Sequence, residues 1–347
     1  YAKWSYFIRN AMRENPELFR PGDKEGEWCL RKSVKRMLYR TQGIECSTNQ
    51  IIIGAGKYDL LRNVFYVLGR DKKTVLSNYC DFPIKGCLDY IGGTTSYINE
   101  DKNGIHTDEL DGLKSAVLYV SPSCNITTCA TIGICDREKI AAWSKNGNYT
   151  IEDAYDSDYQ YGEKLPPLYK INNGQNIIYI GEFAQIISPA MKIGYIILPH
   201  ELTGVWLDKL RPYSSKVSRV EQVALSKFID CGVYEKHVEY MRSVYKSKID
   251  TLLDSLGKSQ IGEHADVWGT GSGAICGVHF DLSVSQSEAR NLLLNEGVKI
   301  STIGVTRIGE LPPSFPENSY RIGLGHMKSS DIRDAVKRWN YCWKDHI

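Results

Sequence analysis

Four short stretches of this chain carry residue types that can do chemistry. The first is Gly54-Ala55-Gly56, set between the β-branched run Ile51-Ile52-Ile53 and an amphipathic run from Tyr58 to Leu68. A glycine-rich turn entering a helix offers backbone N–H groups and a positive dipole end, which suit a phosphate. It also reads as an ordinary strand-to-helix turn, since neither a Walker A loop nor a full GxGxxG is present. The second stretch is Glu152-Asp153-Ala154-Tyr155-Asp156-Ser157-Asp158. Acidic residues directly after a β-run place Asp153 at a strand's carboxyl end, while a helix N-cap cluster is the plainer reading. The third runs from Gly181-Glu182-Phe183-Ala184-Gln185 to Lys192, a loop between two strand-like runs. The fourth is Tyr320-Arg321-Ile322-Gly323, where an arginine interrupts a short strand. A partly buried arginine needs an anion, from the protein or from a ligand.

The elements that must position these residues follow from periodicity. β-rich runs at Thr74–Ser77, Thr95–Ile98, Ala116–Val120, Tyr149–Glu152, Ile177–Ile180 and Ile193–Leu198 alternate with helical patterns, including Thr107–Leu113 and Asp136–Ser144. Such alternation predicts an α/β protein with a mainly parallel sheet covered on both faces. Ligands in such sheets bind at the carboxyl ends of the strands. Helical patterning then holds from Gln222 to Phe228 and from Tyr234 to Leu256, broken at Cys231-Gly232. A smaller unit follows, with strands near Ala274–Phe280, Val298–Ile303 and Tyr320–Leu324 and helices over Gln286–Glu296 and Ser329–Trp343. The boundaries read as 1–40 for an N-terminal arm and first helix, 41–230 for a large domain, and 231–347 for a helix and small C-terminal domain.

Composition sets the class. The chain has 347 residues, 42% hydrophobic and 24% charged, and a formal charge of +2. These are globular averages, which exclude a disordered chain or a disulfide scaffold. The charge balance argues against binding nucleic acid by net charge. Ten cysteines show no CxxC and no zinc-type spacing, so they read as reduced thiols of a cytoplasmic protein, and no metal site is expected. The chain opens Tyr1-Ala2-Lys3-Trp4, without an initiator Met or a signal-peptide pattern, which reads as a trimmed chain. Its longest apolar stretch, Ile177 to Pro199, is broken by Glu182, Gln185, Pro189 and Lys192, so no membrane span is expected.

Taken together, the order and spacing of these motifs resemble a known family. The chain resembles the fold-type I, pyridoxal-phosphate-dependent, aspartate aminotransferase-like domain of the MocR-type GntR transcription regulators. The resemblance covers nearly the whole chain. It takes in Trp4, Asn15-Pro16-Glu17-Leu18, Gly22-Asp23, Gly26, Leu30-Arg31, Gln50 to Gly56, Tyr119-Val120-Ser121-Pro122-Ser123, Glu152 to Ser157, Tyr213 to Arg219 and Arg321-Ile322-Gly323. It implies a large domain with a seven-stranded sheet and a smaller α+β C-terminal domain. It also implies a cofactor site. The backbone of Gly56, Lys57 and Tyr58 would cradle the phosphate. Phe82 would stack on the ring, Asp153 would pair with the pyridine nitrogen, and Tyr155 would reach the phenolic oxygen. Asn125, Gln185 and Lys192 complete the cofactor-side set, and Arg321 would hold a substrate carboxylate.

The departures from that pattern are as informative. The family's Gly-Thr-Phe-Ser-Lys, whose lysine forms the Schiff base, reads Gly181-Glu182-Phe183-Ala184-Gln185 here. An amide forms no aldimine and moves no proton near neutral pH. The phosphate-side arginine is Lys192, which keeps the charge but not the planar fork. The family's Ser-Pro-Ser-His-Gln-x-Pro-Thr-Gly becomes Ser121-Pro122-Ser123-Cys124-Asn125-Ile126-Thr127-Thr128-Cys129. The reading is a catalytically inactive aminotransferase-like domain, the effector-binding and dimerisation half of a regulator. Pyridoxal phosphate would be held non-covalently at most, or be absent. The expected partners are a second copy of the chain and a small carboxylate or amino-acid effector. DNA would be reached only through a winged helix-turn-helix outside this chain. The alternatives are a working aminotransferase with another base and a partner-binding protein with an empty pocket. Lys57 and Lys192 are substitute amines of low standing, since both are expected to point toward the phosphate.

Overall fold

The computed structural model describes residues 2–162, 164–210, 215–304, 307–309 and 311–347. Tyr213 and Ser214 of the segment preceding Arg219 lie outside the described residues. Two helices open the chain, α1 (Ala2–Glu14) and α2 (Trp28–Gln42), where the sequence pattern predicts an arm and one helix. The large unit then runs β1 (Ile51–Gly54), α3 (Lys57–Leu68), β2 (Thr74–Ser77), α4 (Phe82–Tyr90), β3 (Thr95–Ile98), a hairpin of β4 (Glu100–Asp101) and β5 (Gly104–Ile105), and β6 (Val117–Val120). It continues through α5 (Ile134–Lys145), β7 (Tyr149–Asp153), α6 (Leu168–Ile171), β8 (Ile177–Glu182), β9 (Gly194–Ile197), α7 (His200–Leu210) and α8 (Arg219–Asp230).

Seven strands form one sheet in the order β1-β9-β8-β7-β6-β2-β3. All pairs from β8 to β3 are parallel, and β9 runs antiparallel to both its neighbours. Strands buried on both faces read as unbroken apolar runs, which is the signal at Ile51–Ile53 and Ile177–Ile180. Alternate residues feed two cores. Ile51, Ile53, Leu118 and Val120 meet α2, α8 and the helix that follows it, whereas Ile52, Val117, Tyr119 and Ile196 meet α3, α4 and α7.

The 25-residue α9 (Val233–Gly257) leaves this body after Gly232, whose φ of 73° makes the break read from the sequence. Its first half packs Tyr234 and Val238 into the large core, and its second half packs Ile249, Leu252 and Leu256 into the small one. The small unit holds β10 (Ala265–Trp268), β11 (Ile275–Phe280), α10 (Gln286–Asn295), β12 (Ser301–Thr302), β13 (Ser319–Gly323) and α11 (Ser329–Trp343). Its four strands form an antiparallel sheet ordered β10-β11-β13-β12. Trp343 is fully buried there and donates its indole N–H to Ala289 O at 3.0 Å.

Three local expectations are corrected. The helix expected over Thr107–Leu113 is a single 3-10 turn, Thr107–Leu110, ended by extended Asp111 and by Gly112 at φ 80°. The strand expected over Val298–Ile303 shrinks to Ser301–Thr302, because the Val298 N–H closes α10 on Leu293 O at 2.9 Å, after Gly297 at φ 72°. Strand β10 has no counterpart in the sequence reading. All ten cysteines are free thiols. Among the described residues no helix is long and apolar enough to cross a membrane.

The N-terminal motifs meet the segment around Arg219. The Arg219 guanidinium bonds the Glu27 carboxylate at 2.7 and 3.1 Å and the carbonyls of Glu17 and Arg20. Gly26 has φ 96°, and a Cβ there would stand 2.5 Å from Ile53 Cβ, so only glycine fits. Most of the motifs that carry the resemblance at the chain's start therefore build scaffold.

Candidate functional site

The site lies at the carboxyl ends of β6 and β7, where α3 begins. Gly56, at φ 85°, turns the chain from β1 into α3. Lys57, its first residue, points its side chain under the turn to Asp153, the last residue of β7. Its ammonium meets Asp153 Oδ2 at 2.8 Å, with the two side chains only 8% and 6% exposed. The same carboxylate oxygen accepts the hydroxyl of Tyr119 from β6. Burial by itself lowers the Lys57 pKa, but the charge and hydrogen bond of Asp153, with Asp81 and Glu182 behind, raise it overall. Lys57 is therefore a caged cation. The rings of Tyr58 and Tyr155 lie 5.3 and 5.9 Å from its nitrogen.

Glu182, at the end of β8, brings its carboxylate over the turn. Its Oε1 stands 3.4 Å from the Lys57 backbone N, and a Cβ on Gly56 would be 2.9 Å from it. An anion at a helix N-terminus is favoured by the exposed N–H groups and the helix dipole. Lys192 crosses the same turn, with its Cβ 3.8 Å from that position.

The other expected residues are more scattered. Tyr58 donates its hydroxyl to Asp81 Oδ2 at 2.6 Å, and Phe82 next door is 58% exposed. Burial raises the Tyr155 pKa, helped by the Asp156 carboxylate. Gln185 is exposed, and the described residues give its amide no hydrogen-bond partner. Arg321, on β13, donates to Ile126 O at 2.8 Å, which ties the small sheet to the loop after β6. Asn125 turns to Glu100, donating its amide to both carboxylate oxygens at 2.9 Å. The expectation that Lys57 points toward the phosphate end is overturned, because Asp153 at the strand ends attracts its charge. Asp153, expected to await a ring nitrogen, is already paired.

Two buried carboxylates have no role in the sequence reading: Glu100 is not singled out, and Glu152 appears only as part of the acidic stretch. Glu100 accepts from Ser77, Thr128 and Asn125, and Glu152 accepts the N–H groups of Leu168 and Tyr169 at 2.8 Å. Glu100 sits in a polar hairpin, where nothing local marks it for burial. Burial pushes both pKa values up to about 7, against an unfolded value of 4.5. Folding therefore takes up protons between those pH values, and stability falls as pH rises from about 5 to 7. One such group contributes up to about 3 kcal/mol. Urea melts across that range should show the fall, and Glu100→Gln should make it shallower without abolishing it, because burial raises Glu152 and Asp156 to about 7 as well. A wild-type stability that rises over this window would contradict this assignment.

Arg137, fully buried, holds the loop after β6 from below. It donates to the carbonyls of Pro122, Ile132 and Pro166 at 2.7 to 2.9 Å. Among the described residues no cluster of His, Cys, Asp or Glu could hold a metal ion.

No family model matches the chain. Its sequence is similar to HTH-type transcriptional regulators. It is 28% identical to YdeL of Bacillus subtilis, covering 99% of this chain and 74% of that protein. It is 27% identical to YhdI of the same organism, covering 97% and 71%. It is 22% identical to the probable rhizopine catabolism regulatory protein MocR of Rhizobium meliloti, covering 72% and 51%. In structure it resembles the multiple substrate aminotransferase of Thermococcus profundus, with a TM-score of 0.84 at 18% identity, over 99% of this chain and 87% of that one. An archaeal alanine:glyoxylate aminotransferase also matches, with a TM-score of 0.84 at 19% identity, over 100% and 87%.

The fold is that of the aspartate aminotransferase-like, fold-type I transferases. The described site lies within the large unit, and Arg321 of the small sheet reaches the neighbouring loop at Ile126. The aminotransferase fold thus supplies the scaffold, while its cleft contains charges that satisfy one another.

Proposed function

We propose that this chain is the effector-binding and dimerisation module of a MocR-type GntR transcription regulator and has no transaminase activity. What supports this is one amide and one amine. By the resemblance Gln185 takes the position of the Schiff-base lysine, and the buried amine of Lys57 is bound by Asp153. A general base at this point contributes on the order of 10²–10⁴-fold to a proton transfer, and an amide supplies none of it. The regulator half of the reading is supported by the named relatives, each of which extends beyond the matched region. DNA recognition is assigned to a winged helix-turn-helix outside these residues.

Arg321 is the residue proposed to meet a small carboxylate or amino-acid effector, since Ile126 O engages only Nη1 of its fork. A second copy of the chain is proposed to cover the α3–α4 face, where Tyr58, Tyr66, Phe82 and Tyr90 are 37 to 80% exposed.

The test combines two measurements on the purified chain. With pyridoxal phosphate, an amino-acid donor and a keto-acid acceptor, keto-acid product should stay at the protein-free level. Light scattering at micromolar concentration should give twice the chain mass of 39.3 kDa. Steady product formation would refute the inactivity, and a monomer would refute the dimer.

A further inference from the structure

We propose that the cofactor cradle of this fold is filled by the chain's own charges and takes no pyridoxal phosphate. The Lys57 ammonium stands at Asp153 where a ring N–H⁺ would stand. The Glu182 carboxylate stands on the N-terminus of α3 where a phosphate would stand. This goes beyond the regulator reading, which holds whether or not a cofactor binds.

The argument begins with Asp153. A buried carboxylate needs a cation or donors to remain charged. Here Lys57, at 2.8 Å, and the Tyr119 hydroxyl already supply both, so no unmet need is left for a ligand's ring nitrogen. Lys57 in turn has its charge matched by Asp153, with Asp81 and Glu182 nearby. Displacing it would strand a cation in a site where its side chain is 8% exposed.

The phosphate end gives the same result from a different observation. The backbone donor of Lys57 faces Glu182 Oε1 at 3.4 Å, and that oxygen lies directly over Gly56. A phosphate dianion would have to approach a carboxylate at contact distance. Like charges at that range repel, and Lys192 offers only a single exposed ammonium to offset them.

Space agrees with charge. The cavity lined by Asp153, Tyr119, Cys80 and Asn125 measures about 20 Å³, and the one lined by Glu182, Gln185 and Asp156 about 10 Å³. Each is room for about one water, whereas small-molecule sites run to roughly 300–1,000 Å³. Two departures from the family pattern agree with such a cleft, although only Glu182 takes part in the pairing. Glu182 for threonine and Gln185 for lysine both suit a cleft that no longer holds a phosphorylated aldehyde.

Pyridoxamine phosphate is the decisive probe, because it binds such a cradle without needing a lysine. The full chain is equilibrated with either pyridoxamine phosphate or pyridoxal phosphate, passed through gel filtration, and assayed for bound vitamer. Wild type should retain neither. The double variant Lys57→Ala/Glu182→Thr, checked for native circular dichroism, should bind pyridoxamine phosphate at least tenfold more tightly than wild type. Retention of about one equivalent by wild type overturns the proposal. So does a folded double variant that binds no better than wild type, since other residues would then be the obstacle. Neither result touches the regulator reading, which is tested separately by keto-acid formation and by light scattering.

Discussion

Replacing Lys57 by methionine should lower the unfolding free energy by about 3–5 kcal/mol, the usual result of stripping one partner from a buried ion pair. The substitution keeps the length of the stem but leaves the Asp153 carboxylate, 6% exposed, with only the Tyr119 hydroxyl. Urea unfolding at neutral pH reads the loss. The double variant Lys57→Met/Asp153→Leu should recover most of the loss, because removing both charges also removes their desolvation cost. A loss below about 1 kcal/mol for the single variant, the range of exposed pairs, would show that water reaches the pair and that the cleft is open.

The Gln185→Lys variant should form keto acid no faster than the wild-type chain, even with pyridoxal phosphate in excess. In a cleft otherwise intact, restoring a base at this position should recover on the order of 10²–10⁴-fold. Here the new amine would join a site whose acidic anchor is bound by Lys57 and whose helix N-terminus is covered by Glu182. Asn125, from the loop after β6, is also turned away toward Glu100. A positioned amine is useful only if the substrate's reacting atoms are held beside it. Keto-acid production followed with a coupled dehydrogenase is the measurement. A rate more than about tenfold above wild type, or roughly 1.4 kcal/mol of barrier, would show that Gln185 alone silences the site.

The large sheet was legible because its strands are buried on both faces and read as unbroken Ile and Val runs. The helix break at Gly232 was legible because only glycine sits easily at φ 73°. Strand β10 was not legible, since Ala265-Asp266-Val267-Trp268 is too short and mixed to stand out before β11 pairs with it. The same holds for Val298, whose β-branched side chain suggested a strand, while its N–H closes α10. Tertiary context decided both.

At the site, residue identities were legible and their pairings were not. Asp153 could be placed at a strand end, and Gly56 at a helix entry, from local pattern alone. That Lys57 reaches Asp153 depends on β1 and β7 lying in one sheet, 96 positions apart in sequence. Glu182 carried a usable signal, a charge closing the apolar run of β8, but its meaning depends on the turn it covers. Glu100 and Arg137 carried none, because hairpin acids and helix arginines are ordinarily solvated.

Helix α9 has a mechanical implication. At its start, Tyr234 bonds Asp158 at 3.0 Å, and Gln42 at the end of α2 bonds the same carboxylate at 2.9 Å. Arg40 of α2 grips Glu235 one residue along, and Arg36 grips Asp230 just before the helix. Its far end is embedded beneath the small sheet that carries Arg321. A rod clamped at both ends cannot tilt at one without loading the other. Any shift of the Arg321 sheet relative to the large sheet is therefore delivered as strain to the opening helices of the chain.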